Sequence, residues 1–472
     1  MNPLVEFPEL VQHYAPHFAD VFSPAALIQF KRYLSGLLVS ENKTVEGINR
    51  LFVIASRHQS SLNRWLAESP FSLTALNQKR LGVLAGQPAT ALKPQGVLSV
   101  DDTLLAHFGR HFDQIAKLYD PVSKSYVWAH NLVTLHYSDD QTDYPINWRL
   151  WQPADLDKLE RGLVAAGIQL RPAKQGLKTE APYQWRNYLL DLWRRKSDQP
   201  AVAALYDSKL RLAEQMLARW VADQPELVAH VPVTFDNWYT QPNFCRYVDE
   251  QLGLAYVGTL AESDQVVLKT GSEPLGVFAA RLKAEHQQAL AHGQPPVFQA
   301  ITIRYKGARE TYYTYCQTHR IATFGKQRLV INYRQADLND TARFFISNRL
   351  RWQALGITRI RRHRWPVEVY HQEGKAEGLD QYQLRDLTAI ERHIALVATV
   401  YSLLRAAQHD SILRDRLQRE LKLELEGSPA FWRRATQAQS LWSLALFVSA
   451  GLAQGQSLTQ VMAPLLRAVC ST

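Results

Sequence analysis

The sequence predicts an α/β protein: a mixed sheet flanked by helices, interrupted by a β-rich insertion, with helical regions at both ends. Three observations carry this. First, "VLSVDDTLL", "YVWAHNLVTLHYS" and "YPINWRLW", within residues 97–151, read as three strands in succession, an antiparallel meander. Second, residues 226–260 read as strand, turn, helix and strand, an α/β unit whose ligands gather beyond the strand C-termini. Third, residues 1 to about 90 and the stretch from "LTAIERHIALVATVYSLLRAAQ" onward carry helical periodicity.

In chain order, "SPAALIQFKRYLSGLLV" is amphipathic, with Ser23 as N-cap and Pro24 at N1. "KTVEGINRLFVIASRHQSSLNRWLAESP" reads as two short helices. Ser56 would cap the second and set Arg57, His58 and Gln59 in its first turns, where a helix-turn-helix presents side chains to a major groove. An ordinary helical hairpin is the alternative. "AGQPATALKPQG" reads as a linker. Asp101 and Asp102 interrupt the first strand, and Pro145 places the third at an edge. One long helical region is expected over 183–222, followed by the α/β unit with Asp236 at the end of its first strand. Residues 263–336 read as the β-rich insertion, and "TARFFISNRL" as a last strand. The expected division is 1–90, a helical domain; 91–262, the first part of the α/β core; 263–336, the β-rich insertion; 337–395, the second part of the core; and 396–472, a helical C-terminal region.

The chain of 472 residues carries a net charge of +10, which favours a polyanionic partner. Cys245, Cys316 and Cys470 are too far apart in sequence to suggest a zinc site or a disulfide framework. The N-terminal residues lack a basic-then-apolar leader pattern, and no apolar run is expected to reach the length of a membrane span. The expectation is a cytoplasmic protein with no membrane partner.

The stretch "RIRRHRWPVEVYHQEGK", residues 359–375, holds one carboxylate among cations. On one helix, Arg361, Arg364, Glu368, His371 and Lys375 would share an arc of roughly 80°. Pro366 either interrupts a running helix or marks the first turn of a new one. The simplest reading is a solvated face in which Arg364 and Glu368 pair at i,i+4. The other reading groups Glu368 with Asp102 (or Asp101) and Asp236. Three carboxylates at one sheet edge suit Mg²⁺, and two such ions roughly 3.5–4 Å apart can activate a water or a 3′-hydroxyl and stabilise the leaving oxygen.

With these residues in place, the sequence resembles bacterial insertion-sequence transposases of the DDE type, in the cut-and-paste group with the signature Tyr-x2-Arg-x3-Glu-x6-Lys. Arg364, Glu368 and Lys375 match in type and spacing. "SVDDT" resembles the first-Asp motif, with Asp102 the better match by its position before Thr103, and "TFDNWYTQPNF" the second, with Asp236 the acid. The resemblance implies a ribonuclease H-like core and two Mg²⁺ (Mn²⁺ able to substitute) held by the catalytic acids Asp102, Asp236 and Glu368. It also implies double-stranded DNA as partner, both inverted-repeat ends and target, and a homodimer in the DNA complex. Arg364 and Lys375 would position phosphates, and Trp365 is a stacking candidate. Arg361 stands where the signature has Tyr, and its fork geometry suits a phosphate too. Relatives that form DNA hairpins stack a flipped base on a Trp of the insertion. This chain has no Trp between Trp238 and Trp352, and Tyr305, Tyr312, Tyr313 and Tyr315 are the remaining aromatic candidates. The competing functions are an inactive, domesticated DNA-binding protein and another ribonuclease H-like nuclease, such as a junction resolvase.

Overall fold

The computed structural model describes residues 3–470 apart from 54–56, 59, 423 and 425–426. Among the described residues, twelve strands form one sheet: β1 (Val97–His107), β2 (Ala116–Asp120), β3 (Ser125–Ser138), β4 (Asp143–Trp151), β5 (Val233–Phe235), β6 (Tyr256–Leu260), β7 (Gln265–Leu268), β8 (Gly271–Pro274), β9 (Gln299–Tyr305), β10 (Ala308–Ile321), β11 (Gly325–Tyr333) and β12 (Arg343–Ser347). The order is β2-β3-β1-β5-β6-β12-β11-β10-β7-β8, with β4 also on β3 and β9 on β10. β1, β5 and β6 run parallel, while β3 and β4 are antiparallel additions on the other side of β1. The three-strand meander is present, with the short β2 added. β4 pairs with β3 alone, an edge position that tolerates Pro145, and the register shifts where Pro145 faces His136.

Among the described residues, five α-helices precede the sheet: α1 (Glu9–Tyr14), α2 (Pro24–Val39), α3 (Val45–Arg50), α4 (Ser60–Glu68) and α5 (Leu73–Ala85). Ser23 caps α2 as expected, its hydroxyl accepting the N–H of Ala26 at 3.3 Å. Between β4 and β5 lie α6 (Leu156–Ala165), α7 (Pro172–Gln175), α8 (Leu177–Glu180), α9 (Pro182–Lys196), α10 (Pro200–Ala203) and α11 (Lys209–Asp223). The helical region expected over 183–222 is present as three helices, α9 to α11. Pro200 starts the short α10, and Ser208 caps α11 by accepting from Arg211 N at 3.3 Å. α12 (Pro242–Arg246) follows β5.

Residues 263–336 contain more than strands. α13 (Leu275–Ala291) buries Leu275, Phe278, Ala279, Leu282 and His286, a helical spacing passed over in reading the segment as β-rich. Through β12, which pairs with both β11 and β6, its strands β9 to β11 continue the central sheet.

After the sheet come α14 (Ala354–Arg362), α15 (Trp365–Ala376), α16 (Leu387–Ala407), α17 (Ser411–Leu421), α18 (Pro429–Ala453) and α19 (Leu458–Cys470). α16 is the centre of the helical part and packs on α2, α4, α5, α15, α18 and β4. The Tyr33 hydroxyl is 2.8 Å from His393 Nδ1, Arg80 donates to the Ser402 hydroxyl at 2.7 Å, and Arg392 donates to the Leu66 carbonyl at 2.7 Å. The N-terminal helices therefore share one apolar core with α16 and the sheet. α16 also corrects the expectation that no apolar stretch reaches membrane-span length. It is long and apolar enough, and the rest of the protein buries most of it.

Candidate active site

Parallel pairing aligns Leu98 with Val233, Ser99 with Thr234 and Val100 with Phe235. One step further along both strands stand Asp101 and Asp236. Residues at the same level of adjacent strands point to the same face, so the register itself directs these two acids to one side. Asp236 is held just past β5 by a local turn, its Oδ1 accepting the N–H groups of Trp238 (3.0 Å) and Tyr239 (3.1 Å).

α14 and α15 cover that face. The Ser99 hydroxyl, two residues before Asp101, donates to the His363 carbonyl at 3.2 Å. Thr134, opposite Asp101 on β3, bonds His371 Nε2 at 3.2 Å. The chain breaks between the two helices at His363 and Arg364, and Pro366 stands in the first turn of α15. Arg361 and Glu368 therefore belong to different helices, and the arc of cations on a single helix does not exist. What exists is tighter. From the junction, Arg364 reaches Asp101 Oδ2 with one guanidinium nitrogen and Glu368 Oε1 with the other. α15 is anchored at its far end by Glu373, which pairs with Arg405 at 3.1 Å, and Arg405 in turn pairs with the buried Asp143 at 3.1 Å.

Burial pushes the Asp101 carboxyl up to about 7; Arg364 opposes this, while Asp236 and Asp102 add to it. Burial, then the neighbouring Arg364, pulls the Arg361 guanidinium down to about 9 against the attraction of Glu368 and Asp236. Arg361 thus feels two of the three acids while lying 5.6 Å from the centre of the Phe345 ring.

A cleft of about 400 Å³ opens beside Glu368. Arg334, Arg343, Arg361, Arg364, Tyr312 and Trp365 line it, along with Arg362. Arg362 is neutralised by Glu310, to which its Nε donates at 3.0 and 3.1 Å, and lies 4.0 Å over the Tyr305 ring. Trp365 is 48% exposed, so its indole is accessible to a ligand.

Asp102, expected as the first acid, turns to the opposite face. Its carboxylate accepts from Asn131 Nδ2 (2.6 Å), Lys209 Nζ (3.0 Å) and the Tyr239 hydroxyl (3.0 Å). Three donors, one of them a cation on α11, hold it there. Of the other expected site residues, Arg361, Arg364, Trp365 and Glu368 meet in the cleft, and Lys375, half-buried further along α15, does not line it. Arg57 and His58 are exposed but precede α4, which starts at Ser60, so they are not in its first turns. The expected cap Ser56 and Gln59 lie outside the described residues.

Among the described residues no three His, Cys, Asp or Glu side chains are grouped closely enough to cage a metal ion. Between Asp101 and Glu368 the positive charge is supplied by Arg364. The donors themselves are all carboxylate oxygens, which fit a hard divalent cation.

A family model described as DDE superfamily endonuclease matches residues 17–276, more than half of the chain. The chain belongs to the DDE superfamily endonucleases. No curated protein matches it. The stretch matched contains both Asp101–Asp102 and Asp236, and α15 with Glu368 lies beyond it. DDE superfamily endonucleases generally use divalent metal ions, and the family implies a DNA substrate. The cations of the cleft that sequence reasoning missed, Arg334, Arg343 and Arg362, come from β11's end, β12 and α14. Only Arg362 had a signal, its place in the "RIRRHR" run; the other two reach the cleft through the β11–β12 pairing.

Proposed function

We propose that this DDE superfamily endonuclease is a DNA transposase that binds inverted-repeat ends and catalyses Mg²⁺-dependent strand cleavage and strand transfer, with Asp101, Asp236 and Glu368 as its acids. The observation that carries the reading is the level placement of Asp101 and Asp236 on adjacent parallel strands, with Glu368 joined to Asp101 through Arg364. The order β4-β3-β1-β5-β6, antiparallel then parallel, supports a ribonuclease H-like core. Asp101 replaces Asp102 in this proposal because Asp102 is held by Lys209, Asn131 and Tyr239 on the far face.

The three carboxylates would hold the Mg²⁺ ions, which when bound supply an activated water or 3′-hydroxyl and stabilise the leaving oxygen. Arg364 leaves the acids for a phosphate when DNA arrives, and its planar fork suits that bidentate contact. Arg361 and Arg343 hold the adjoining phosphates along the cleft, and Trp365 stacks on a base or sugar at its rim. Asp101, half-ionised near neutrality, has to lose its proton to act as a ligand.

A second reading has one observation in its favour. Arg364 satisfies Asp101 and Glu368 as a structural ion pair would, which suits an inactive DNA-binding descendant. One experiment separates them. The protein is incubated with Mg²⁺ and a labelled duplex carrying an inverted-repeat end, and nicks are mapped on both strands. Nicking at the repeat boundary, lost in Glu368→Gln, supports the transposase; binding without nicking supports the inactive descendant.

A further inference from the structure

The tip of the β9–β10 hairpin touches the rest of the protein at both ends of α15. Tyr305 and Ala308 face each other across the hairpin, so Lys306 and Gly307 make the turn between them. Both have positive φ, 46° and 82°, the backbone of a type I′ turn. Asn and Gly adopt this conformation readily, whereas a lysine is strained in it. Lys306 nevertheless stands there, with its ammonium 2.7 Å from Asp143 Oδ2. Beside it, the Tyr305 ring packs 5.0 Å from that of His363, at the junction of α14 and α15. Glu310 of β10 pairs with Arg362, the last residue of α14. The hairpin therefore holds the start of α15 directly and reaches its far end through Asp143.

Asp143 is buried, and its Oδ1 accepts from the Tyr401 hydroxyl at 2.7 Å and from Arg405 at 3.1 Å. The same guanidinium nitrogen of Arg405 donates to Glu373 Oε2 of α15 at 3.1 Å. Burial would raise Asp143, but Arg405, His136 and Lys306 hold it well below the usual carboxylate range, so it is ionised. Burial keeps the neighbouring His136 imidazole low, so it adds no charge. Two carboxylates thus share two cations. Without Lys306, one guanidinium serves both acids. An unpaired charge costs more at buried Asp143 than at Glu373, whose side chain is 38% exposed and can be hydrated. Arg405 is then drawn to Asp143, and α15 loses its anchor five residues after Glu368. We propose that Lys306 is a positioning residue: through Asp143, Arg405 and Glu373 it holds α15 where Glu368 faces Asp101 across Arg364. Its bearing on cleavage rests on the transposase reading, whereas its hold on α15 does not. A misplacement of about 1 Å in a reacting group can lower a rate about a hundredfold.

Lys306→Asn separates positioning from stability, because Asn before Gly suits a type I′ turn while the bond to Asp143 is lost. Its melting temperature should stay close to that of wild type. Hydrogen exchange of the metal-free, full-length protein should be about tenfold faster in the peptide 369–377 of Lys306→Asn than in wild type. In single-turnover nicking of a labelled inverted-repeat end, Lys306→Asn should be roughly ten- to a hundredfold slower and need several-fold more Mg²⁺ for half its maximal rate. Duplex affinity should be within about twofold of wild type. Lys306→Arg keeps the charge and should recover most of the rate and of the Mg²⁺ requirement. Unchanged exchange in the peptide 369–377 overturns the hold on α15. Faster exchange with a wild-type rate and Mg²⁺ requirement overturns the positioning of Glu368. So does a slower rate that follows a lowered melting temperature while the Mg²⁺ requirement stays put, the mark of a contact that only stabilises. A wild type that does not nick overturns the transposase reading instead, and the exchange data then still decide whether Lys306 holds α15.

Discussion

Asp101 and Asp102 are neighbours on β1 yet serve opposite faces of the sheet: Asp101 is paired with Arg364 under α15, and Asp102 with Lys209 of α11 at 3.0 Å. The alternation of a strand separates them, so their substitutions should separate too. Asp101→Asn is expected to abolish metal-dependent strand cleavage while leaving the protein folded. Asp102→Ala leaves Lys209, Asn131 and the Tyr239 hydroxyl without their shared acceptor. It should cost about 2–3 kcal/mol of stability, in the range for partly buried donors that lose a charged partner. Urea unfolding and nicking assays on the same preparations check both, and an Asp102→Ala protein that is as stable as wild type but inactive would return the first-acid role to Asp102.

The raised Asp101 makes stability pH-dependent in a defined direction. Its ordinary value is 3.8 and the folded value about 7. Below 3.8 the group is protonated in both folded and unfolded chains and costs nothing. As pH rises from there to about 7 the unfolded chain ionises first, so the contribution of Asp101 to stability is progressively lost. Asp101→Asn lacks this loss. In EDTA, the melting temperature of Asp101→Asn minus that of wild type should therefore increase between about pH 4 and pH 8. At ~1.36 kcal/mol per pH unit the full window corresponds to roughly 4 kcal/mol as an upper bound. A difference that is flat or falls with pH would mean that Arg364 holds Asp101 ionised throughout.

Much of this arrangement is legible in the sequence. The strands β1, β3, β4 and β12, the N-cap of α2 and the place of Asp236 follow from alternation, capping chemistry and turn residues, all of them local signals. The choice between Asp101 and Asp102 is not local. It depends on which residue of β1 stands level with Asp236, a register set by parallel pairing over more than 130 residues of intervening chain. The helix break at His363 was open for a related reason. Pro366 permits either a kink or a first turn, and the bonds from Ser99 and Ser138 to His363 accompany the second. The single core joining the N-terminal helices to α16 was hidden because amphipathic faces state that they need a partner without naming it.

Arg364 supplies the positive charge between Asp101 and Glu368, so in the free protein it should compete with a divalent cation. Arg364→Ala is expected to bind Mn²⁺ or Tb³⁺ several-fold more tightly than wild type in the absence of DNA, read by luminescence or calorimetry, and to cleave DNA more slowly. Arg364→Lys should restore less than full cleavage, because an ammonium lacks the bidentate fork. Lys375→Ala, whose residue does not line the cleft, should affect cleavage less than Arg364→Ala. Weaker cation binding in Arg364→Ala would show that the guanidinium assembles the acids rather than blocking them.

The cleft predicts how DNA affinity depends on salt. If Arg361 and Arg343 each neutralise a phosphate, binding of a duplex end should fall steeply with salt, and each Ala substitution should reduce the slope of log affinity against log salt by about one. The two differ in surroundings. Arg361 lies over Phe345 and is lowered to about 9 by burial, so its loss should also remove packing and lower the melting temperature. Arg343, at the exposed start of β12, should weaken DNA binding with little change in stability. Fluorescence anisotropy at several salt concentrations, with a thermal melt of each variant, gives both readouts. Slopes unchanged in both variants, with affinity intact, would remove the phosphates from this cleft and leave its arginines as partners of Glu368 and Asp236 alone.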